Sequence, residues 1–197
     1  MSSLENYLGG QRDELRRAGL YRSLHPVESP QDVRIKMGGR TLLNFSSNNY
    51  LGLANHPLLR EAGIRALEQY GAGTGASRLI SGSQPVHGAL EEQLAAFKST
   101  QSALTFSSGY ATAMGTVGAL VGREDVVVVD KLSHACIIDA ARLSGAKLRV
   151  FRHNDLGDLE RILQWADARA GMVRARPKVL VVTESVFSMD GDCAPLK

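Results

Sequence analysis

Val126-Val127-Val128-Val129 is the stretch from which the fold of this chain is predicted. Four β-branched residues in succession favour a strand, and a continuous apolar run is typical of a strand buried on both faces. Comparable runs recur along the chain, with helical patterns between them. The predicted strands are 103–106, 126–129, 147–151 and 178–183, and the predicted helices between them are 110–121, 133–143 and 156–170. This alternation predicts an α/β fold with a mainly parallel sheet, right-handed crossovers and helices on both faces.

The residues before this region follow other patterns. Residues 1–25 predict an N-terminal helical arm whose apolar face is interrupted at Gly9-Gly10. Two short strand-like runs, 33–37 and 41–45, flank Gly38-Gly39 and predict a β-hairpin. Further helices are predicted from Pro57 to Tyr70 and from near Pro85. We therefore predict an arm and hairpin at residues 1–55, followed at 56–197 by the first part of the α/β domain.

Composition limits the classes of function. The 197 residues carry a net charge of +3 with scattered basic residues, so nucleic acid is not an expected partner. The longest apolar runs are strand-sized, and the N-terminus has no apolar signal core, so no membrane association or export is expected. The two cysteines, Cys136 and Cys193, are too few for a disulfide framework and predict free thiols in a reducing cytoplasm.

The segment Phe106-Ser107-Ser108-Gly109-Tyr110 lies between a predicted strand and a predicted helix. Ligands of open α/β sheets bind beyond the carboxyl ends of strands, and a helix N-terminus offers free N–H groups to an anion such as phosphate. A purely structural alternative is that Ser108 only caps the helix. A third is a hydrolase nucleophile elbow at Ser107, which Thr105 disfavours because it replaces the first glycine of that motif.

Polar residues also follow two other predicted strands, at the same carboxyl edge of the predicted sheet. His134 follows strand 126–129, where an imidazole can stack on a flat heteroaromatic ring or exchange protons. Glu184, Ser188 and Asp190 follow strand 178–183, although this sequence also favours a simple turn. No metal site is expected, because Cys136 lies two residues after His134 and hence on another helix face, and no other ligand set has zinc spacing.

The loop 71–83 is rich in glycine and serine and contains Gly71-Ala72-Gly73-Thr74-Gly75-Ala76, which fits a dinucleotide-binding pattern. That pattern requires a strand before it and a helix directly after it, whereas a helix is predicted before it. We therefore reject a Rossmann site. The loop is either a flexible linker or an ordered functional segment in which glycines allow close approach of the backbone.

Taken together, these motifs resemble the α-oxoamine synthase family, pyridoxal 5'-phosphate (PLP) enzymes of the aspartate-aminotransferase fold type I. The resemblance covers nearly the whole chain. The stretch Arg78-Leu79-Ile80-Ser81-Gly82-Ser83 resembles the 8-amino-7-oxononanoate synthase branch, with the glycine C-acetyltransferase branch as the nearest competitor. The matching stretches are 43–53, 81–87, 130–135 and 183–192.

The resemblance implies a decarboxylative condensation of an amino acid, here alanine, with an acyl-CoA, here a pimeloyl thioester, in biotin biosynthesis. It also implies a homodimer. For the cofactor, the resemblance implies that the Gly109 and Tyr110 backbone holds the PLP phosphate and that His134 stacks on the pyridine ring. It also implies that Ser188 hydrogen-bonds the phenolic oxygen of PLP and that Glu184 supports the site. For the substrates, it implies that Asn48 contacts the amino-acid carboxylate and that Arg22 faces the acyl substrate.

The resemblance further implies that the chain is an N-terminal portion of the enzyme. The family's aspartate that pairs with the pyridinium nitrogen, a neighbouring histidine and the Schiff-base lysine belong after Lys197, and neither Lys131 nor Lys197 has the expected Thr-x-x-Lys context. The 197-residue chain alone is therefore expected to be inactive. The alternative is a non-catalytic half-domain that serves as a binding or assembly module.

Overall fold

The computed structural model describes residues 2–170 and 177–196, so Lys197 lies outside the described residues. The chain forms two compact units that divide between Gln84 and Pro85. The predicted division after residue 55 separates the arm and hairpin from the α/β domain and stays a prediction.

The N-terminal unit contains two helices and a hairpin. These elements are α1 (Ser3–Arg17), β1 (Arg34–Met37), β2 (Arg40–Leu43) and α2 (Pro57–Tyr70). Helix α1 begins with a capping box, in which the Ser2 hydroxyl accepts from the Glu5 amide at 3.3 Å and the Glu5 carboxylate accepts from the Ser2 amide. The helix continues through Gly9-Gly10, so the predicted interruption does not break the backbone.

The predicted hairpin is confirmed. Strands β1 and β2 pair antiparallel, with Arg34 opposite Leu43 and Met37 opposite Arg40. Gly38 and Gly39 have φ angles of 57° and 71°, the left-handed values that a two-residue turn requires. The Glu28 carboxylate accepts hydrogen bonds from both glycine amides and fixes the turn.

The glycine-rich loop after α2 folds back on itself at Gly82. The Gly82 amide donates to the Ser77 carbonyl at 2.9 Å. A Cβ atom at this position would lie 1.9 Å from the Ala76 carbonyl oxygen, so the backbone approaches closely enough to require glycine. This supports the ordered alternative for this part of the loop.

The second unit is the predicted α/β structure. Its elements are α3 (Pro85–Lys98), α4 (Gly109–Leu120), β3 (Val126–Asp130), α5 (Ala135–Leu143), β4 (Lys147–Phe151), α6 (Leu156–Ala170) and β5 (Val179–Val182). The three strands form a parallel sheet in the order β4-β3-β5. Parallel neighbours joined through helices confirm the predicted fold class.

The core of this unit lies on both faces of β3, whose five residues are at most 1% exposed. On one face Val127 and Val129 pack with α4 and α5. On the other, Val126 and Val128 pack with Ile162 and Ala166 of α6. The flanking strands β4 and β5 are only partly buried because each is an edge strand of this sheet.

The predicted strand 103–106 is not observed. The segment has no strand pairing, and the Thr105 amide and hydroxyl donate instead to the Glu91 carboxylate of α3, at 2.8 and 2.9 Å. A side-chain acceptor thus replaces the neighbouring strand that a ladder would need. Within residues 2–170 and 177–196, no helix combines the length and apolar character needed to cross a bilayer.

Candidate active site

The strand register brings three chain segments to one edge of the sheet. Asp130 lies opposite Phe151, and Val129 lies opposite Val182. Because the strands are parallel, the residues that follow β3, β4 and β5 all leave from this carboxyl edge. This is the edge where ligands bind in open α/β sheets.

His134 lies at this edge as the N-cap of α5 and is exposed. Its amide donates to the Glu184 carboxylate at 2.5 Å, which joins the segments after β3 and β5. Its ring Nδ1 accepts from the Cys136 amide at 3.2 Å and lies 3.0 Å from the Cys136 thiol. The prediction that Cys136 faces away from His134 is therefore wrong: His134 has an extended backbone (ψ 142°) before the helix, so helical spacing does not apply.

The predicted anion cradle lies at the N-terminus of α4. Ser108 caps the helix, since its hydroxyl accepts from the Ala111 amide at 3.1 Å. The first amides of a helix have no acceptor within the helix, which leaves those of Gly109 and Tyr110 available. Among the described residues, nothing lies within 4 Å of where a Cβ atom of Gly109 would be. Helix α4 packs against α5, the helix that His134 caps.

The backbone at Ser107 disfavours the hydrolase alternative. A nucleophile elbow holds its serine on a sharp, strained turn. Among the described residues other than glycine, only Ser99 and Asn154 have positive φ angles. Ser107 therefore lacks the backbone strain of an elbow.

Ser188 and Asp190 lie in a tight hairpin after β5, and both are exposed. Val186 and Cys193 form an antiparallel bridge at its base. The Phe187 amide donates to the Asp192 carbonyl at 2.9 Å, and the Gly191 amide donates to the Phe187 carbonyl at 2.8 Å. We call residues 185–194 the β5 hairpin. Glu184, which is half-buried, directly precedes it.

A network around one buried carboxylate lies at the same edge and was not predicted from the sequence. The Asp130 side chain is fully buried and accepts from the amides of Leu132 and Asn154, at 2.8 and 2.9 Å. The His153 ring links it to Asp192, with Nδ1 2.8 Å from an Asp130 oxygen and Nε2 2.6 Å from an Asp192 oxygen. The sequence does carry a signal for it, since Arg152-His153-Asn154 follows strand 147–151 and makes a fourth polar strand end.

The pKa values in this network follow from its hydrogen bonds. Burial alone would raise the pKa of Asp130, but the amides of Asn154 and Leu132 and the His153 ring outweigh burial and lower it below the usual 3.8. The hydrogen bonds to Asp130 and then Asp192 raise the pKa of His153 above its usual 6.5. The network therefore favours an imidazolium between two carboxylates.

The two predicted substrate residues, Asn48 and Arg22, belong to the N-terminal unit, and both are exposed. Asn48 lies in the loop after β2, and Arg22 lies between α1 and β1. Neighbours of Asn48 line a surface cavity of about 350 Å³, including Asn44, Ser47, Asn49 and Tyr50. Asn48 itself is not part of that lining. In the described part of the chain, no group of three potential ligands is arranged to hold a metal ion.

Residues 40–197 match the family model for aminotransferase class I and II. The chain belongs to this family. The resemblance drawn from the sequence is supported by curated relatives named 8-amino-7-oxononanoate synthase. That of Geobacter sulfurreducens is 50% identical over 189 residues, covering 96% of this chain and 46% of the relative. That of Symbiobacterium thermophilum is 47% identical over 194 residues, covering 98% and 48%.

Solved members of fold type I agree with this family assignment. A serine palmitoyltransferase from S. paucimobilis with PLP-myriocin bound matches with a TM-score of 0.81 and 32% identity, covering all of this chain and 48% of that one. The 8-amino-7-oxononanoate synthase of Francisella tularensis matches with a TM-score of 0.62 and 29% identity, covering 76% and 39%. The chain thus spans about half the length of the relatives it matches.

Proposed function

We propose that the protein containing this chain is an 8-amino-7-oxononanoate synthase. In the proposed reaction, alanine condenses with a pimeloyl thioester, CO2 and CoA leave, and the product serves biotin biosynthesis. The observation that carries the proposal is the contact between the His134 amide and Glu184 at the carboxyl edge of the sheet. It occurs in a chain that is 50% identical, over 189 residues, to a synthase of that name.

PLP is the proposed cofactor, and the residues at the sheet edge and at the N-terminus of α4 fit it. The free amides of Gly109 and Tyr110 lie at the positive end of the α4 dipole and suit a phosphate, and the open space beside Gly109 admits it. The imidazole of His134 suits stacking on the pyridine ring, and the exposed Ser188 hydroxyl suits its phenolic oxygen. When bound, PLP supplies the electron sink for chemistry at the amino-acid α-carbon.

The protein's own contribution is to orient these groups. Glu184 holds the His134 backbone through a charge-assisted hydrogen bond. Because the Cys136 amide donates to Nδ1, a neutral His134 ring carries its proton on Nε2. Asn48 is proposed to bind the amino-acid carboxylate and Arg22 to face the acyl substrate.

We also propose a cytoplasmic homodimer. Helices α1 and α2 contain no buried residue, and exposed apolar residues cluster on both. These residues are Leu4, Tyr7, Leu8, Leu58, Ile64 and Leu67. Such apolar surface supports an interface with a second subunit.

The direct test is an assay of the protein encoded by the complete reading frame. CoA release and CO2 formation are measured with alanine and pimeloyl-CoA, and in parallel with glycine and acetyl-CoA. Faster turnover of the first pair supports the proposal, whereas faster turnover of the second favours a glycine C-acetyltransferase. Absence of product together with failure to take up PLP favours a binding module. Product from the 197-residue chain alone contradicts its expected inactivity.

The role of His134 is tested by His134→Ala in the complete protein, with His25→Ala at an exposed site of the N-terminal unit as the matched control. Loss of ring stacking is expected to weaken PLP binding about tenfold. Loss of a positioned acid-base group lowers kcat about 100-fold. Both are measured by absorbance titration and the CoA assay. Unchanged PLP affinity and kcat in His134→Ala would refute the proposed role.

A further inference from the structure

A single buried carboxylate organises two segments of the proposed site. Asp130 Oδ1 accepts from the Leu132 amide at 2.8 Å, and the Ser133 amide donates to the Asp130 carbonyl at 3.1 Å. These bonds shape the turn that ends at His134. The same Oδ1 lies 2.8 Å from His153 Nδ1, so the turn and the His153 ring share one anchor.

The other side of the His153 ring contacts the β5 hairpin. Its Nε2 lies 2.6 Å from Asp192 Oδ2, and its ring stands edge-to-face against Phe187, with centroids 4.5 Å apart and planes at 88°. Phe187 is 1% exposed, so this contact belongs to a packed interior. An ionised carboxylate only accepts hydrogen bonds, so a ring between two of them uses both nitrogens as donors.

Asn154 strengthens the same attachment. Its side-chain amide donates to Asp192 Oδ2 at 2.8 Å and to the Cys193 carbonyl at 3.2 Å. Its backbone has a φ angle of 54°, a conformation that asparagine tolerates better than most residues, and its amide donates to Asp130. Residues 153 and 154 thus connect the end of β3 to the base of the β5 hairpin.

We infer that His153 is a positioning residue of the proposed site, which holds the β5 hairpin, and with it Ser188 and the preceding Glu184, against the carboxylate that shapes the turn before His134. The inference rests on the proposed function for the meaning of the site, but not for the attachment itself. His153 is not placed as a catalytic residue, because both ring nitrogens already face carboxylates. By contacting both Asp130 and Asp192, the His153 ring holds the segment after β3 next to the segment after β5.

The test compares His153→Asn and Asp192→Ala with the matched control Asp190→Ala in the same hairpin. Asparagine reproduces the donor near Nδ1 but cannot reach Asp192, and Asp192→Ala removes the second carboxylate. Backbone hydrogen exchange is measured on the complete protein, both with PLP and after its removal. A hydrogen bond to a charged group stabilises enough that exchange of the Phe187 and Gly191 amides is expected to rise about tenfold.

The exchange outcomes separate positioning from general stability. The inference predicts faster exchange in the hairpin of both variants, with the Val127–Val129 amides still protected and Asp190→Ala like wild type. Unchanged hairpin exchange in both variants overturns it. If His153→Asn unfolds the sheet, Asp192→Ala decides alone, because Asp192 is 42% exposed and its removal spares the core.

A spectroscopic readout then tests the link to the site. The induced circular dichroism of bound PLP reports the orientation of its ring, which a loss of stability alone does not alter. We expect a weaker signal in His153→Asn and Asp192→Ala at saturating PLP, and no change in Asp190→Ala. A wild-type protein without any PLP signal refutes the proposed function, while the exchange data still decide the attachment. Faster hairpin exchange with an unchanged PLP signal overturns the positioning role.

Discussion

The two units of this chain differ in what holds them in shape. In the α/β unit, β3 is almost completely removed from solvent, with helices packed on both faces. In the N-terminal unit, only Ile35 and Gly82 are buried among residues 2–84. Its helices and hairpin are instead specified by local devices, namely the capping box at Ser2, the proline at the start of α2 and the Gly38-Gly39 turn.

This difference in burial predicts which substitutions should lower the stability most. Burial of apolar surface is the main stabilising term of folding, so the unit with the core should carry most of the free energy of unfolding. Local capping and turn residues each contribute about 1 kcal/mol. Matched substitutions in the two units therefore test whether the α/β unit carries most of the stability.

The largest effect is expected from Asp130→Asn in the α/β unit. The change leaves an amide facing the Leu132 and Asn154 donors and removes the charge that pairs with His153. Removing the charge of a fully buried, hydrogen-bonded carboxylate should lower the free energy of unfolding by about 3–5 kcal/mol, measured by urea denaturation. Asp32→Asn in the exposed N-terminal segment is the control and should change it by less than about 0.5 kcal/mol. Equal effects at the two positions would contradict the comparison.

Val128→Ala should have the next largest effect. Val128 is 0% exposed and packs against α6, so loss of its methyl groups leaves a cavity. We expect a loss of about 2–3 kcal/mol in the free energy of unfolding. Val33→Ala, at a residue that is 70% exposed, makes the same chemical change and should cost less than about 0.5 kcal/mol. A similar loss in both variants would show that the N-terminal unit has apolar burial of its own.

Gly82→Ala tests the close approach of the backbone at Gly82 in the N-terminal unit. The added Cβ would meet the Ala76 carbonyl at 1.9 Å, so the loop must shift. We expect a cost of about 1–2 kcal/mol, measured by thermal unfolding. Gly73→Ala in the same loop has open space and is the control. If Gly82→Ala matches Gly73→Ala, the loop does not need its observed conformation for stability.

The smallest effect is expected in the pH dependence of the stability that His153 contributes. Because the pKa of His153 is raised in the folded protein, its bonds to Asp130 and Asp192 stabilise fully below about pH 6.5 and lose this stabilisation as the pH rises through the higher folded value. The loss of stability in Asp192→Ala should therefore shrink as the pH is raised. Thermal unfolding across this range measures it, with Asp190→Ala expected to show no such trend. A constant loss would mean that His153 does not titrate within the network.

Much of the fold was predictable because hydrophobic periodicity and the residues that start helices or form turns can be recognised within short stretches of sequence. The helices 57–70 and 156–170 and the strand 147–151 begin and end as predicted. The prediction of a strand at 103–106 was wrong. A strand needs a neighbouring strand, and Thr105 donates its hydrogen bonds to the Glu91 carboxylate instead. An apolar run does not show whether its backbone amides will donate to a neighbouring strand or to a side chain.

In the candidate site, only the residues that directly follow predicted strands could be placed from the sequence. His134 and Glu184 were expected at one edge, and the structure joins them by a hydrogen bond. The proposed roles of Gly109, Tyr110 and Ser188 stay predictions. The bond between His153 and Asp192 spans 39 residues and depends on the register of β3 and β4, which periodicity does not supply.

The two cysteines give this 197-residue chain a native pair of labelling positions. Cys136 touches the His134 ring, and Cys193 lies at the base of the β5 hairpin, where its carbonyl accepts from Asn154. The sequence contains no other cysteine. Spin labels on the two thiols would therefore report the distance between the turn at His134 and the hairpin by electron paramagnetic resonance, without any engineered attachment point.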